Sequence, residues 1–275
     1  MRKITFLMYL LVSFSLTACV NLTNYHLKAD EIAREGNFQS NFINSNGFKL
    51  KVISKGLKQR DNLLVVYIEG DGFAWKKKNI QSSDPTPRNP IALKMAAQDP
   101  GSSILYIARP CQYLDASELA NCNPKYWSTH RYADEVIEAI NQLINQFNHT
   151  SIALIGYSGG GTIASLVTAR RTDVVLLVTV AANLDHEKWT GLHNISPLDG
   201  SLNAADYSDK TSKVPQMHFI GEVDEIVPES IVDSYISRQN EALNTSKKVI
   251  KGFNHRCCWV ETWPEIRNGI WKELM

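Results

Sequence analysis

A serine set among glycines, at the junction of a strand and a helix, constrains this chain most. Residues 151–161 read Ser-Ile-Ala-Leu-Ile-Gly-Tyr-Ser-Gly-Gly-Gly. The apolar run 152–155 has the character of a buried strand, and Ile163, Leu166 and Val167 then recur at helix spacing. A chain that passes straight from a buried strand into a helix must turn sharply between them. Gly156 and Gly160 remove the side chains that would block such a turn. Ser158 at its apex is pushed out of the sheet, beside the free N–H groups of the helix start. A glycine-rich turn that only packs a helix on a sheet is the competing account. The strand before and the helix after favour Ser158 as a nucleophile.

Other apolar runs fall at 63–68, 104–108, 174–180, 216–220 and 248–250, and 48–53 alternates as an edge strand would. Helical spacing lies between several of them, at 90–97, 132–147, 228–243 and 261–274. In 132–147 the residues Val136, Ile137, Ile140, Leu143, Ile144 and Phe147 share one face. Strands and helices in alternation give an α/β fold, a mostly parallel sheet with helices on both faces. Residues 181–213 break the alternation and read as a small lid insertion.

The first residues are Met1-Arg2-Lys3, then a mostly apolar stretch to Leu16, then Thr17-Ala18-Cys19. A basic start, a short apolar run and small residues describe a secretory signal, too short to span a bilayer with ease. Leu16-Thr17-Ala18-Cys19 resembles the bacterial lipobox. That resemblance implies cleavage after residue 18 and lipidation of Cys19, with palmitate among the acyl chains. It places the protein in the cell envelope, anchored to a membrane by its N-terminal lipid. Val20, where an aspartate would resemble an inner-membrane retention signal, favours the outer membrane facing the periplasm. Residues 19–47 are polar and rich in asparagine and read as a tether, with a short helix near 27–34. Residues 48–275 then form the domain. The chain has 29 Lys and Arg against 28 Asp and Glu, with no basic run, so nothing in it attracts nucleic acid.

Outside the cytoplasm, the other four cysteines suggest two disulfides. Cys111–Cys122 closes a short loop and is the first choice, which leaves the adjacent Cys257 and Cys258; cross-pairing stays open. No Cys or His spacing supports a metal site, and no cofactor is called for.

A serine hydroxyl needs a base to take its proton and a carboxylate to hold that base in the right tautomer. Such groups gather past the carboxyl ends of parallel strands. His255 follows the run 248–250 in Lys251-Gly252-Phe253-Asn254-His255 and is the candidate base. His186 and His193 in the lid segment are rivals, while His218 falls inside a strand. Asp224 follows the run 216–220 and Gly221 and is the candidate acid, with Glu222 and Glu225 as alternatives.

The elbow 156–160, Gly221-Glu222-Val223-Asp224 and Gly252-Phe253-Asn254-His255 resemble the three catalytic blocks of the α/β-hydrolase superfamily, in the same chain order. Ile68-Glu69-Gly70-Asp71-Gly72, Arg109-Pro110-Cys111-Gln112-Tyr113, Tyr126-Trp127 and Asn183-Leu184-Asp185 with Trp189 resemble a group of little-characterised bacterial hydrolases, often lipoproteins. The resemblance implies a serine hydrolase that passes through an acyl-enzyme on a small-molecule acyl substrate, a carboxylic ester by default. A peptidase, thioesterase or acyltransferase would use the same residues. It further implies an oxyanion hole from the Gly159 amide and one amide of the loop 69–73, that of Asp71 or Gly72. Glu69 stands where many members have histidine. Asp71, Arg109, Trp127, Asp185 and Trp189 are candidates to line the pocket. A non-catalytic envelope binding protein on the same scaffold is the rival from another class.

Overall fold

The computed structural model describes residues 23–57, 62–77 and 79–274. The strands are β1 (Gln39–Ser45), β2 (Phe48–Lys55), β3 (Leu63–Ile68), β4 (Trp75–Lys77), β5 (Ile80–Gln81), β6 (Ile104–Ile107), β7 (Ser151–Tyr157), β8 (Val174–Val180), β9 (Gln216–Gly221) and β10 (Thr245–Ile250). The helices are α1 (Thr23–Glu35), α2 (Ile91–Ala97), α3 (Ala116–Ala120), α4 (Asp134–Ile144), α5 (Gly159–Thr168), α6 (His186–Leu192), α7 (Ser208–Thr211), α8 (Glu229–Ser237) and α9 (Trp259–Leu274).

Eight strands form one sheet in the order β1-β2-β6-β3-β7-β8-β9-β10, and β4 pairs only with β5. β2 runs antiparallel to both its neighbours, and the remaining pairs are parallel. The mostly parallel α/β sheet expected from the alternation is therefore present. Its inner strands β3, β6, β7, β8 and β9 are buried on both faces, which is why they read as near-continuous apolar runs. In β3, Leu64, Val66 and Ile68 pack in the core shared with α4, α5 and α8. Val65 and Tyr67 pack on the other face with α2 and α9. The period of two along a strand thus supplies both cores.

Two expectations about the first half of the chain are corrected. Residues 48–53 are not an edge: β2 is the second strand and the edge is β1. Within residues 19–47, the short helix expected near 27–34 is present as α1, but the described part is not a tether: α1 packs on the domain and residues 39–45 form that edge strand. β1 buries only Ser45, so it carries no apolar alternation to betray it. α1 docks through Ala29 and Ala33, two small residues one helical turn apart that are fully buried or nearly so. Asp30 on α1 accepts from Lys51 Nζ of β2 at 2.7 Å and from Ser40 Oγ of β1 at 2.7 Å, which ties the three elements together. Residues 1–18, expected to be a leader, and Cys19 lie outside the described residues.

The segment 181–213 forms α6, a 3-10 turn at Ala204–Tyr207 and α7. Only part of it is cover. Leu184, Leu198, Ala204 and Ala205 belong to the main core. Cys111 is bonded to Cys122, and Cys257 to its neighbour Cys258.

Candidate active site

β7 ends at Tyr157 and α5 begins at Gly159, so Ser158 alone makes the turn. It sits at φ 51°, ψ −124°, a region that costs a side-chain-bearing residue on the order of 1–3 kcal/mol. Surrounding structure holds it there. Ser158 N donates to Val180 O at 2.9 Å, and Gly161 N donates to Ser158 O at 2.9 Å. The glycines are needed for close approach. A Cβ on Gly156 would stand 2.4 Å from Gly160 O, and one on Gly160 would stand 2.2 Å from Ile68 O.

The structure brings the three chosen side chains together. Ser158 Oγ lies 3.0 Å from His255 Nε2, and His255 Nδ1 lies 2.9 Å from Asp224 Oδ2. Asp224 is buried, and its other oxygen accepts from Ile226 N at 2.9 Å and Val227 N at 2.8 Å. The carboxylate is thereby aimed at the histidine by its own loop. The His255 loop is held from several sides. Tyr157 Oη donates to His255 O, Trp259 Nε1 donates to Asn254 O, and Asn254 Oδ1 accepts from Arg256 N and Cys257 N.

The rivals lie elsewhere. Glu222 accepts from Gly252 N at the surface, and Glu225 is exposed. His193 Nε2 is 2.8 Å from Ile226 O, and His186 is buried beside the Tyr132 ring. His218 lies within β9 with Nδ1 2.8 Å from Thr179 Oγ1, and burial pulls its pKa down to about 3.

The loop after β3 carries the other half of the site. Gly70 faces the elbow, where a Cβ would stand 3.4 Å from Ser158 Cβ. Gly159 is the first residue of α5, so its N–H has no acceptor within the helix. Gly72 has φ +68° and packs toward Pro85 O. Glu69 is buried beneath this loop. Its Oε1 accepts from Gly70 N at 2.9 Å and Ala92 N at 3.4 Å; its Oε2 accepts from Leu93 N at 3.4 Å and Tyr106 Oη at 3.3 Å. Burial raises its pKa to about 7 against the pull of those bonds.

Asp71 offers more than the amide and pocket wall that its sequence context suggests. Its carboxylate is clamped by two guanidinium groups, Arg109 Nη1 at 3.0 Å and Arg131 Nη1 at 2.6 Å. Burial alone would raise the Asp71 carboxyl, but Arg131 and Arg109 outweigh it and hold it below the usual range. The clamp sits next to Gly159, where a Cβ would stand 2.1 Å from Asp71 Oδ1. Two cations against one anion leave a net positive field beside the helix start. Arg131 was missed from sequence because its partner lies 60 residues away, with no local pattern to link them.

A cleft of about 590 Å³ opens over Ser158 and His255, with Asp71, Phe73, Arg131 and Trp189 in its walls. Three pocket candidates are outside it. Arg109 stands behind Asp71. Trp127 packs with Ala74 and Cys111 and donates to Ser82 O. Asp185 is fully buried; it caps α6 and pairs with Arg238.

No curated protein matches the chain. Among solved structures it is similar to Est1E from Butyrivibrio proteoclasticus, at 15% identity and TM-score 0.57, over 86% of this chain and 98% of that one. It is similar to an esterase from Pyrococcus furiosus, at 13% identity and TM-score 0.60, over 87% and 91%. It is also similar to a proline iminopeptidase from Mycobacterium smegmatis, at 11% identity and TM-score 0.63, over 86% and 97%. At such identities the likeness is one of fold, the α/β-hydrolase fold. The family model described as "Serine hydrolase (FSH1)" matches residues 36–250, which include Ser158 and Asp224 and stop five residues short of His255. This chain belongs to that serine hydrolase family.

Proposed function

We propose that the protein cleaves carboxylic esters through an acyl-enzyme on Ser158, while anchored to a membrane by a lipid on Cys19. The observation that carries the chemistry is the unbroken run Ser158 Oγ, His255 Nε2, His255 Nδ1, Asp224 Oδ2, with steps of 3.0 and 2.9 Å. With the His255 Nδ1–H donated to Asp224, Nε2 is free to take the Ser158 proton as Oγ attacks the ester carbonyl carbon. His255 then gives that proton to the leaving alkoxide. Water repeats the sequence and releases the acid. The Gly159 amide and the Asp71 amide are the donors we assign to the tetrahedral oxygen, and the clamp of Arg109 and Arg131 on Asp71 adds a positive field there.

The anchoring rests on the resemblance of residues 16–19 to a lipobox. α1 starts four residues past Cys19, so a lipid there would hold the domain directly at the bilayer. Cys19→Ala should move the protein from the membrane fraction to the soluble fraction; retention in the membrane would count against the anchor.

Steady-state assays on 4-nitrophenyl esters of two to eight carbons test the chemistry. Wild type should turn them over, and Ser158→Ala should lose at least about a thousandfold in kcat. Turnover that survives in Ser158→Ala contradicts the proposal. An intact protein that cleaves no ester, thioester or peptide would favour a binding role.

A further inference from the structure

We propose that the substrate is an ester carrying an anionic group, a carboxylate or a phosphate, held by Arg88 and Arg256. The proposal rests on the esterase reading of Ser158 and names the class of ester. Besides His255, five acidic or basic side chains line the cleft: Glu69, Asp71, Arg88, Arg131 and Arg256. Asp71 is already paired with Arg131 and with Arg109 behind it. Glu69 is walled in, its oxygens taken up by backbone N–H groups and Tyr106. Arg88 and Arg256 are left over.

Both are exposed at the mouth of the cleft. The arginine ion pairs among the described residues involve Arg109, Arg131, Arg170, Arg171, Arg238 and Arg267, and neither of these two. The excess is local, because the whole chain has a formal net charge of only +1. The Arg88 group is also held in place. The Arg88 guanidinium lies 3.5 Å from the centre of the Phe73 ring and 5.6 Å from that of Tyr25. Stacking fixes its plane and leaves its edge N–H donors free for a carboxylate or phosphate. Arg256 directly follows His255, and its backbone N–H is held by Asn254 Oδ1 at 2.9 Å. Two segments distant in sequence thus bring unpaired guanidinium groups to the same opening as the nucleophile. A cleft with low-dielectric walls focuses their field on an incoming anion. Trp75 and Ile226, 42% and 41% exposed, line the same cleft and offer apolar surface to the rest of the substrate.

The test uses the full chain in a neutral detergent with two matched pairs of esters. In one pair the charge is on the acyl part, 4-nitrophenyl hexanoate against the 4-nitrophenyl monoester of adipic acid. In the other it is on the leaving part, 1-hexanoylglycerol against 1-hexanoylglycerol 3-phosphate. In at least one pair the anionic member should have a kcat/KM about tenfold higher or more, mainly through KM. The pair that shows it identifies which half of the substrate carries the charge. The preference should shrink as salt rises from about 0.05 to about 0.5 M. Arg88→Gln and Arg256→Gln should each narrow the ratio between the two members. If either variant fails to fold, the salt dependence of wild type decides. Equal or faster hydrolysis of the neutral member in both pairs overturns the inference and leaves the esterase reading intact. Absence of Ser158-dependent turnover on all four esters overturns both.

Discussion

Tyr157 Oη donates to the carbonyl oxygen of His255 at 2.8 Å, and the two rings lie 5.6 Å apart. The residue before Ser158 thus secures the loop that carries His255. Seen from the sequence, Tyr157 is only the variable position of the elbow.

Tyr157→Phe should leave the His255 carbonyl without its buried partner, at a cost of about 1–3 kcal/mol in unfolding free energy. The loop should then hold His255 less well against Ser158, and kcat should fall about tenfold with a smaller change in KM. Denaturant melts and steady-state kinetics on an ester measure the two effects. Unchanged kcat would show that the bond does not position the base.

Glu69 makes stability depend on pH in a defined direction. Its pKa is about 7 in the fold against an ordinary 4.5. Between those values the folded protein keeps a proton that the unfolded chain has released. Stability should therefore fall as pH rises from about 4.5 to 7 and level off above, by about 3 kcal/mol in total. Urea midpoints at pH 5 and pH 8 give the difference, and Glu69→Gln should flatten it. The same slope in both proteins would show that Glu69 ionises freely.

The two disulfides should differ in what they protect. Cys257 and Cys258 follow His255 by two and three residues, and Cys257 N donates to Asn254 Oδ1 in the same loop. Strong reductant should loosen that loop and lower kcat. Replacing Cys111 and Cys122 by serine should instead lower stability by about 3 kcal/mol in the chain-entropy model and spare kcat. Turnover and melting temperature unchanged in reductant would contradict the first expectation.

The fold was legible where burial forces a pattern. β3, β7, β8 and β9 are covered on both faces and show as apolar runs, and Asp224 could be chosen because it follows β9. His255 follows β10, a half-exposed edge strand whose apolar run is only the pair Val249 and Ile250. α1 was legible as a short helix near 27–34, but β1 was not, since the strand buries only Ser45. The segment 181–213 was read as cover, though Ala204 and Ala205 fill the core without any long apolar run. At the site, the clamp on Asp71 joins residues 38 and 60 positions away, which only the folded chain brings together. Arg88 and Arg256 left no mark either, because an exposed arginine acquires meaning only from the cleft it faces.

An activated Ser158 attacks electrophilic phosphorus as well as carbonyl carbon. The most direct measurement is reaction of the full chain with a fluorophosphonate probe, with the adduct mapped by mass spectrometry. One adduct is expected, on the peptide that contains Ser158, absent in Ser158→Ala and formed far more slowly in His255→Ala. An unlabelled wild type, or equal labelling of Ser158→Ala, would contradict it.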